Sequence, residues 1–175
     1  TMSALRLINE TTVSSSVSSV NVTDVFSGDF DIYKITSDLF FNSQTWVQLR
    51  FINSSGSVIS ASNYDNASLL ADSSASFSEN RGTNESSTQH LSFTGESIAE
   101  SGGLVAYVFN PYSSSSYSFL LSQGSVYRTD NADNLNTKNI SVLKQTASMS
   151  GFQILPLSGT IDGATIRTYG LRVDS

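Results

Sequence analysis

Thr160-Ile161-Asp162-Gly163-Ala164-Thr165-Ile166-Arg167-Thr168-Tyr169-Gly170-Leu171-Arg172-Val173 closes the chain with a turn that feeds a long alternating strand. The Asp162-Gly163 pair has the chemistry of a hairpin turn. Beyond it Ala164, Ile166 and Thr168 fall on one face and Thr165, Arg167 and Tyr169 on the other, because successive side chains of a strand point to opposite sides. A strand at this position needs a sheet that the preceding residues have already built.

Working outward from that end, strand signals follow one another with hardly a helical period between them. Phe152 to Leu157 reads as another strand before the closing hairpin, and Ile140 to Lys144 as a short strand. Gly103-Leu104-Val105-Ala106-Tyr107-Val108-Phe109 is the strongest apolar run and predicts a central strand. Tyr117, Phe119 and Leu121 alternate with Ser118, Leu120 and Ser122, and Pro111 stands in the turn before them, where its missing N–H does no harm. Trp46 to Ile52 alternates most cleanly of all, and Asn53-Ser54-Ser55-Gly56 predicts a hairpin into Ser57 to Ser60. Phe30 to Phe41, Ala4 to Ile8 and the valine-rich stretch Thr12 to Phe26 supply further strands.

Two stretches are poor in apolar residues: Asp130 to Asn139 reads as a polar loop, and Ala61 to Gln89, long for a loop in a compact domain, reads either as a surface excursion that does the binding or as a disguised strand pair. With roughly eight to ten strands at this spacing, the sequence predicts an all-β fold, an antiparallel β-sandwich or jelly roll. It is read as a single domain over 1–175, with a variable polar loop around 61–89.

Composition narrows the function classes. The chain has 175 residues, no cysteine, a formal net charge of −6 and only 14% charged residues. Without a Lys/Arg stripe it has nothing to displace counterions from a phosphate backbone, so neither nucleic acid nor an anionic membrane is an expected partner. No secretion signal and no apolar run of spanning length is seen. Thr1 precedes Met2, and the chain is expected to be a complete small protein.

Chemistry-bearing constellations are weak. His90 is the only histidine and no G-x-S-x-G elbow occurs, so nucleophilic catalysis is not expected. Asp29 with Asp31, and Glu96 with Glu100, are the candidate carboxylate pairs for glycoside hydrolysis. Asp130-Asn131-Ala132-Asp133-Asn134 carries closely spaced oxygens, which makes Asp130 and Asp133 candidate calcium ligands. The segment lacks the central Gly and downstream Glu of an EF-hand loop, so no metal or other cofactor is expected. Asn-x-Ser/Thr triplets at Asn9, Asn21, Asn53, Asn66, Asn84 and Asn139 arise readily in a chain so rich in these residues. Tyr64, Tyr112 and Tyr117 lie in or beside Ser-rich stretches and are candidate contact aromatics.

Val20-Asn21-Val22 leading to Phe26, then Asp29-Phe30-Asp31-Ile32-Tyr33-Lys34-Ile35, with Ile166-Arg167-Thr168-Tyr169-Gly170-Leu171 at the end, resembles the β-sandwich structural proteins of tailed bacteriophages. In that group an opening "S-x-V-x-F … D-x-Y-x-I" segment is closed by an "I-x-x-Y-G-L" strand. The resemblance implies a non-enzymatic virion component on the capsid or tail surface, a head decoration or tail-fibre protein assembling as a homotrimer. Its partners would be other copies of itself and major capsid or tail proteins, with Arg167 and Tyr169 on the face that meets a neighbouring subunit. The alternative is a tail-fibre or adhesin module that binds a host-surface glycan or receptor through the polar loops.

Overall fold

The computed structural model describes residues 5–74 and 77–171. The described residues form twelve strands: β1 (Leu5–Val13), β2 (Val20–Val22), β3 (Ile32–Phe41), β4 (Thr45–Asn53), β5 (Tyr64–Asp72) and β6 (Ser78–Glu85) come first. They are followed by β7 (Thr88–Thr94), β8 (Gly102–Phe109), β9 (Ser118–Arg128), β10 (Asp133–Leu143), β11 (Met149–Pro156) and β12 (Ile161–Leu171), with one 3₁₀ turn at Ile98–Glu100. Eight strands make one sheet in the order β1-β12-β3-β8-β9-β10-β5-β6, and four make a second in the order β2-β11-β4-β7. Every pairing is antiparallel.

The two sheets enclose one apolar core. Tyr33, Ile35, Leu39 and Phe41 point inward from β3, and Leu104, Ala106 and Val108 from β8. They meet Val47, Leu49 and Phe51 of β4 and Phe152 and Ile154 of β11. The tyrosines among these side chains bring a polar atom with them. Tyr33 Oη donates to the carbonyl of Ser27 and accepts from its N–H, both at 2.8 Å. Tyr64 Oη accepts from Phe51 N–H and donates to Ile59 O, both at 2.9 Å. Each ring thus spans the core while its hydroxyl fixes a loop or neighbouring strand, which satisfies the group that burial would otherwise penalise.

Beside this core, under β9, β10 and β5, the inner face of the large sheet is polar yet buried: Asn66, Ser68, Ser122, Thr137, Asn139 and Ser141 all point inward. The reason lies in β7. Between the pairs Leu49·Thr88 and Val47·Ser92 this strand carries extra residues around His90, whose φ is 57°. The bulge presents two carbonyls to the large sheet. Asn139 Nδ2 donates to Gln89 O at 2.7 Å, and Ser122 Oγ and Thr137 Oγ1 each donate to Leu91 O at 3.1 Å. Asn139 also donates to Ser68 Oγ and accepts from Ser141 Oγ. Unpaired buried carbonyls are costly, and the hydroxyls and the amide of β9 and β10 are there to receive them.

The polar core corrects several sequence expectations. Of the two readings of 61–89 the strand pair holds and the loop does not: the stretch forms β5, β6 and the start of β7. Asp130 to Asn139 is a tight turn and the first half of β10, whose inner side chains Asp133, Leu135, Thr137 and Asn139 are all buried. β5 and β10 alternate as strands do, but with Asn66, Ser68, Thr137, Asn139 and Ser141 on the buried side, and β6 is exposed along most of its length. The predicted hairpin after Trp46–Ile52 amounts to one bridge, Ile52 to Val58, because β4 pairs with β11 along one edge and with β7 over Thr45–Leu49 along the other.

The closing hairpin is also overturned. β11 and β12 belong to different sheets, the reversal is at Ser158-Gly159 with Gly159 at φ 82°, and Asp162-Gly163 lies inside β12 at a register irregularity. The alternation of Ala164, Ile166 and Thr168 against Thr165, Arg167 and Tyr169 is as expected; Arg172 and Val173 lie outside the described residues. Of the valine-rich stretch only the end of β1 and the three residues of β2 are strand.

Candidate functional site

Taken singly, the site residues read from the sequence stand in structural roles or apart from one another. Tyr64 is fully buried in β5, not exposed on a loop, and burial pushes its hydroxyl pKa up. Tyr112 and Tyr117 are exposed on the segment joining β8 to β9. Asp133 is buried, and its carboxylate is taken by Arg128, whose Nε donates to Oδ1 at 2.7 Å, and by Ser74. Arg128 also pairs with Asp72, and its guanidinium lies 5.9 Å from the Phe93 ring. The hydrogen bonds from Arg128 hold the Asp133 carboxyl below the usual range. Asp130 is exposed and accepts from the N–H of Asn131, whereas Asp133 is buried and turned to Arg128 and Ser74. Among the described residues no group of three or more His, Asp or Glu side chains is placed to hold a metal ion.

The carboxylate pairs are likewise separated in role. Asp29 and Asp31 are exposed in the turn before β3 rather than on a strand face. Glu100 is buried and receives Thr129 N–H at 2.8 Å and Glu96 N–H at 3.1 Å; the bonds from Thr129 chiefly hold its pKa below the usual carboxylate value. Glu96 is exposed. His90 lies in the β7 bulge with its ring edge-on to Trp46, and burial lowers its pKa.

What the structure does bring together is the outer face of the large sheet. Strand registers align its side chains in rows across the strands. One row runs Leu7, Tyr169, Lys34, Tyr107, Leu121, Ile140, and a second alongside it holds Ile32, Phe109, Phe119 and Val142. Tyr107, Phe119, Leu121 and Ile140 are all exposed, with Ile140 at 53%. Among the described residues no element covers them. Arg167 sits on the same face, where its Nε pairs with Glu10 at 2.6 Å, and Tyr169 is half-buried.

Next to these rows the face is cut by a trough of about 740 Å³. Its floor is the row Asp38, Gly103, Ser125, Asn136 and Ala71, whose side chains are short, whereas the rows to one side carry Val105 and Leu69 and then Tyr107 and Leu121. Gly103 opens upward, since a Cβ there would meet nothing within 4 Å. Gln123, Lys138 and Arg167 stand along it, and Phe77, 83% exposed, marks one end. Sequence reasoning missed this face because the apolar run of β8 reads as buried on both sides; the alternation Val105, Tyr107 against Leu104, Ala106, Val108 is visible only once the pairing is known.

No protein-family model matches the chain, and no curated protein matches it. Among solved structures it is similar to a sucrose-6-phosphate hydrolase from Lactobacillus gasseri, with 15% identity and a TM-score of 0.30. The match covers 90% of this chain and 28% of that one, so the chain spans well under half of the enzyme's length. A likeness so slight carries no argument about fold or activity.

Proposed function

We propose that the protein is a non-enzymatic structural module of a phage virion, a decoration or accessory component of the capsid that assembles as a homotrimer through the outer face of its large sheet. The observation that carries the reading is the pair of uncovered apolar rows built from Tyr107, Leu121, Ile140, Phe109, Phe119 and Val142. Solvent-exposed apolar patches of this continuity mark contact surfaces. The chain's accessible surface, 8455 Å², is close to the roughly 8300 Å² expected of a compact chain of this mass. No described arm of the chain folds back over the rows.

A second copy is the occupant favoured by charge. A chain of net charge −6 repels its own kind over most of its surface. Around the apolar rows Lys34 and Arg81 stand among Glu79 and the Glu10–Arg167 pair, so like charges do not dominate the contact. The durable, hydroxyl-rich remainder suits a particle exterior. Light scattering on the full chain tests the reading: the expected mass at micromolar concentration is that of three chains, and Leu121→Lys with Ile140→Lys is expected to return the monomer. A wild-type monomer that also fails to bind capsids overturns it.

A further inference from the structure

We infer that the trough on the outer face of the large sheet is a saccharide-binding site that takes a linear oligosaccharide laid across the strands, with an acidic sugar at the Lys138 end. This does not depend on the assembly proposed above, since the trough lies beside the apolar rows rather than on them.

Shape supports the assignment first. From Asp38 on β3 to Lys138 on β10 the trough crosses three strand spacings, about 14 Å at ~4.8 Å each, enough for about three pyranose rings. Its volume falls in the range of small-ligand sites. The floor is low because Gly103, Ser125 and Ala71 offer no bulk, so a ring can approach the sheet closely.

Chemistry supports it second. Sugars present apolar C–H faces edged by hydroxyls, and the trough offers the same alternation. Val105, Leu69 and the Phe77 ring supply apolar surface, and Gln123, Asn136 and Asp38 supply planar amide and carboxylate groups that can bond paired hydroxyls. These polar groups are unspent: among the described residues none hydrogen-bonds the side chains of Asp38, Gln123 or Asn136, and Lys138 has no ion-pair partner. The contrast with Asp65, Asp72, Asp133 and Arg128 is sharp, since all four are engaged within the chain. Arg167 is neutralised by Glu10, so Lys138 is the cation left to meet a sugar carboxylate.

Titration of the full-length chain with tetragalacturonate and with cellotetraose, followed by amide NMR, tests the inference. Tetragalacturonate is expected to shift the signals of β8, β9 and β10 around Gly103, Gln123 and Asn136. Gly103→Phe, whose ring enters the open trough, is expected to weaken binding at least tenfold with an unchanged melting temperature. Lys138→Ala is expected to weaken tetragalacturonate at least fivefold and to leave cellotetraose unaffected. No shift with either saccharide at millimolar concentration, shifts confined to another surface, or full binding by Gly103→Phe overturns the site. Equal binding of both saccharides by wild type and Lys138→Ala overturns its preference for an acidic sugar. Light scattering on the same samples separates this result from the assembly, because a monomer that binds in the trough keeps the site and removes the trimer.

Discussion

The inner face of the large sheet is two surfaces in one. Under β3 and β8 it is apolar, and Phe152, Ile154 and Phe51 of the facing sheet close over it. Under β9, β10 and β5 a patch of Ser, Thr and Asn lies between Leu120, Leu143 and Tyr64 on one side and Val126 and Leu135 on the other, and what closes over it is the bulge of β7 with its turned carbonyls. Both surfaces are buried, but they hold by different means. The first is tolerant, because apolar contact is non-directional; the second is particular, because its hydrogen bonds need donors and acceptors in set places. The polar half therefore fixes where β7 sits, and the apolar half provides most of the drive to collapse.

The comparison can be broken or sharpened by substitution. The largest effect is expected in the apolar half, where Phe152→Ala should lower stability by about 3–5 kcal/mol, read from urea denaturation. Asn139→Leu should cost about 2–3 kcal/mol and be no milder than Asn139→Ala, because neither variant can donate to Gln89 O. A leucine variant as stable as wild type would mean the polar half is ordinary core. Tyr64→Phe should cost about 1–2 kcal/mol by stripping partners from Phe51 N–H and Ile59 O, with faster hydrogen exchange at Phe51.

The smallest effect concerns acid. Glu100 is held below its ordinary value of 4.5 by hydrogen bonds from Thr129, Glu96 and Ser97. A depressed carboxyl pKa contributes stability that is complete above the unfolded value and is lost as pH falls through the folded one. Stability should therefore decline below about pH 4.5. Glu100→Gln should flatten that acid limb while leaving the neutral-to-alkaline limb unchanged; an acid limb identical to wild type would remove Glu100 from the account.

The same division explains what could be read without coordinates. β4, β8 and the alternation of β12 were legible because Val47, Leu49 and Phe51, Leu104 and Val108, and Ile161 and Ile166 mark their buried sides. β5 and the first half of β10 were not, since their buried side carries Asn66, Ser68, Thr137 and Asn139, and the last three are hydrogen-bonded to strands far away in sequence. Hydrophobic periodicity cannot see a partner of that kind. The site was less legible still. Arg167 and Tyr169 are on the outer face, as the alternation indicated, but Gly103, Gln123, Asn136 and Lys138 become neighbours only through the registers of β8, β9 and β10. Tyr64 misled because its aromatic ring was read by the composition of the residues after it.

The strand edges carry one more consequence. β2 is three residues long, β1 has a register irregularity between Leu7 and Asn9, β6 is almost wholly polar with Glu79, Arg81 and Glu85, and β7 is locked by its bulge. No described edge offers a long, flat, apolar template to another strand. Copies crowded together at high local density are thus steered away from edge-to-edge addition, the route to open-ended fibres, and toward contacts between faces that can close. Such a chain can be displayed in many copies side by side without seeding its own aggregation.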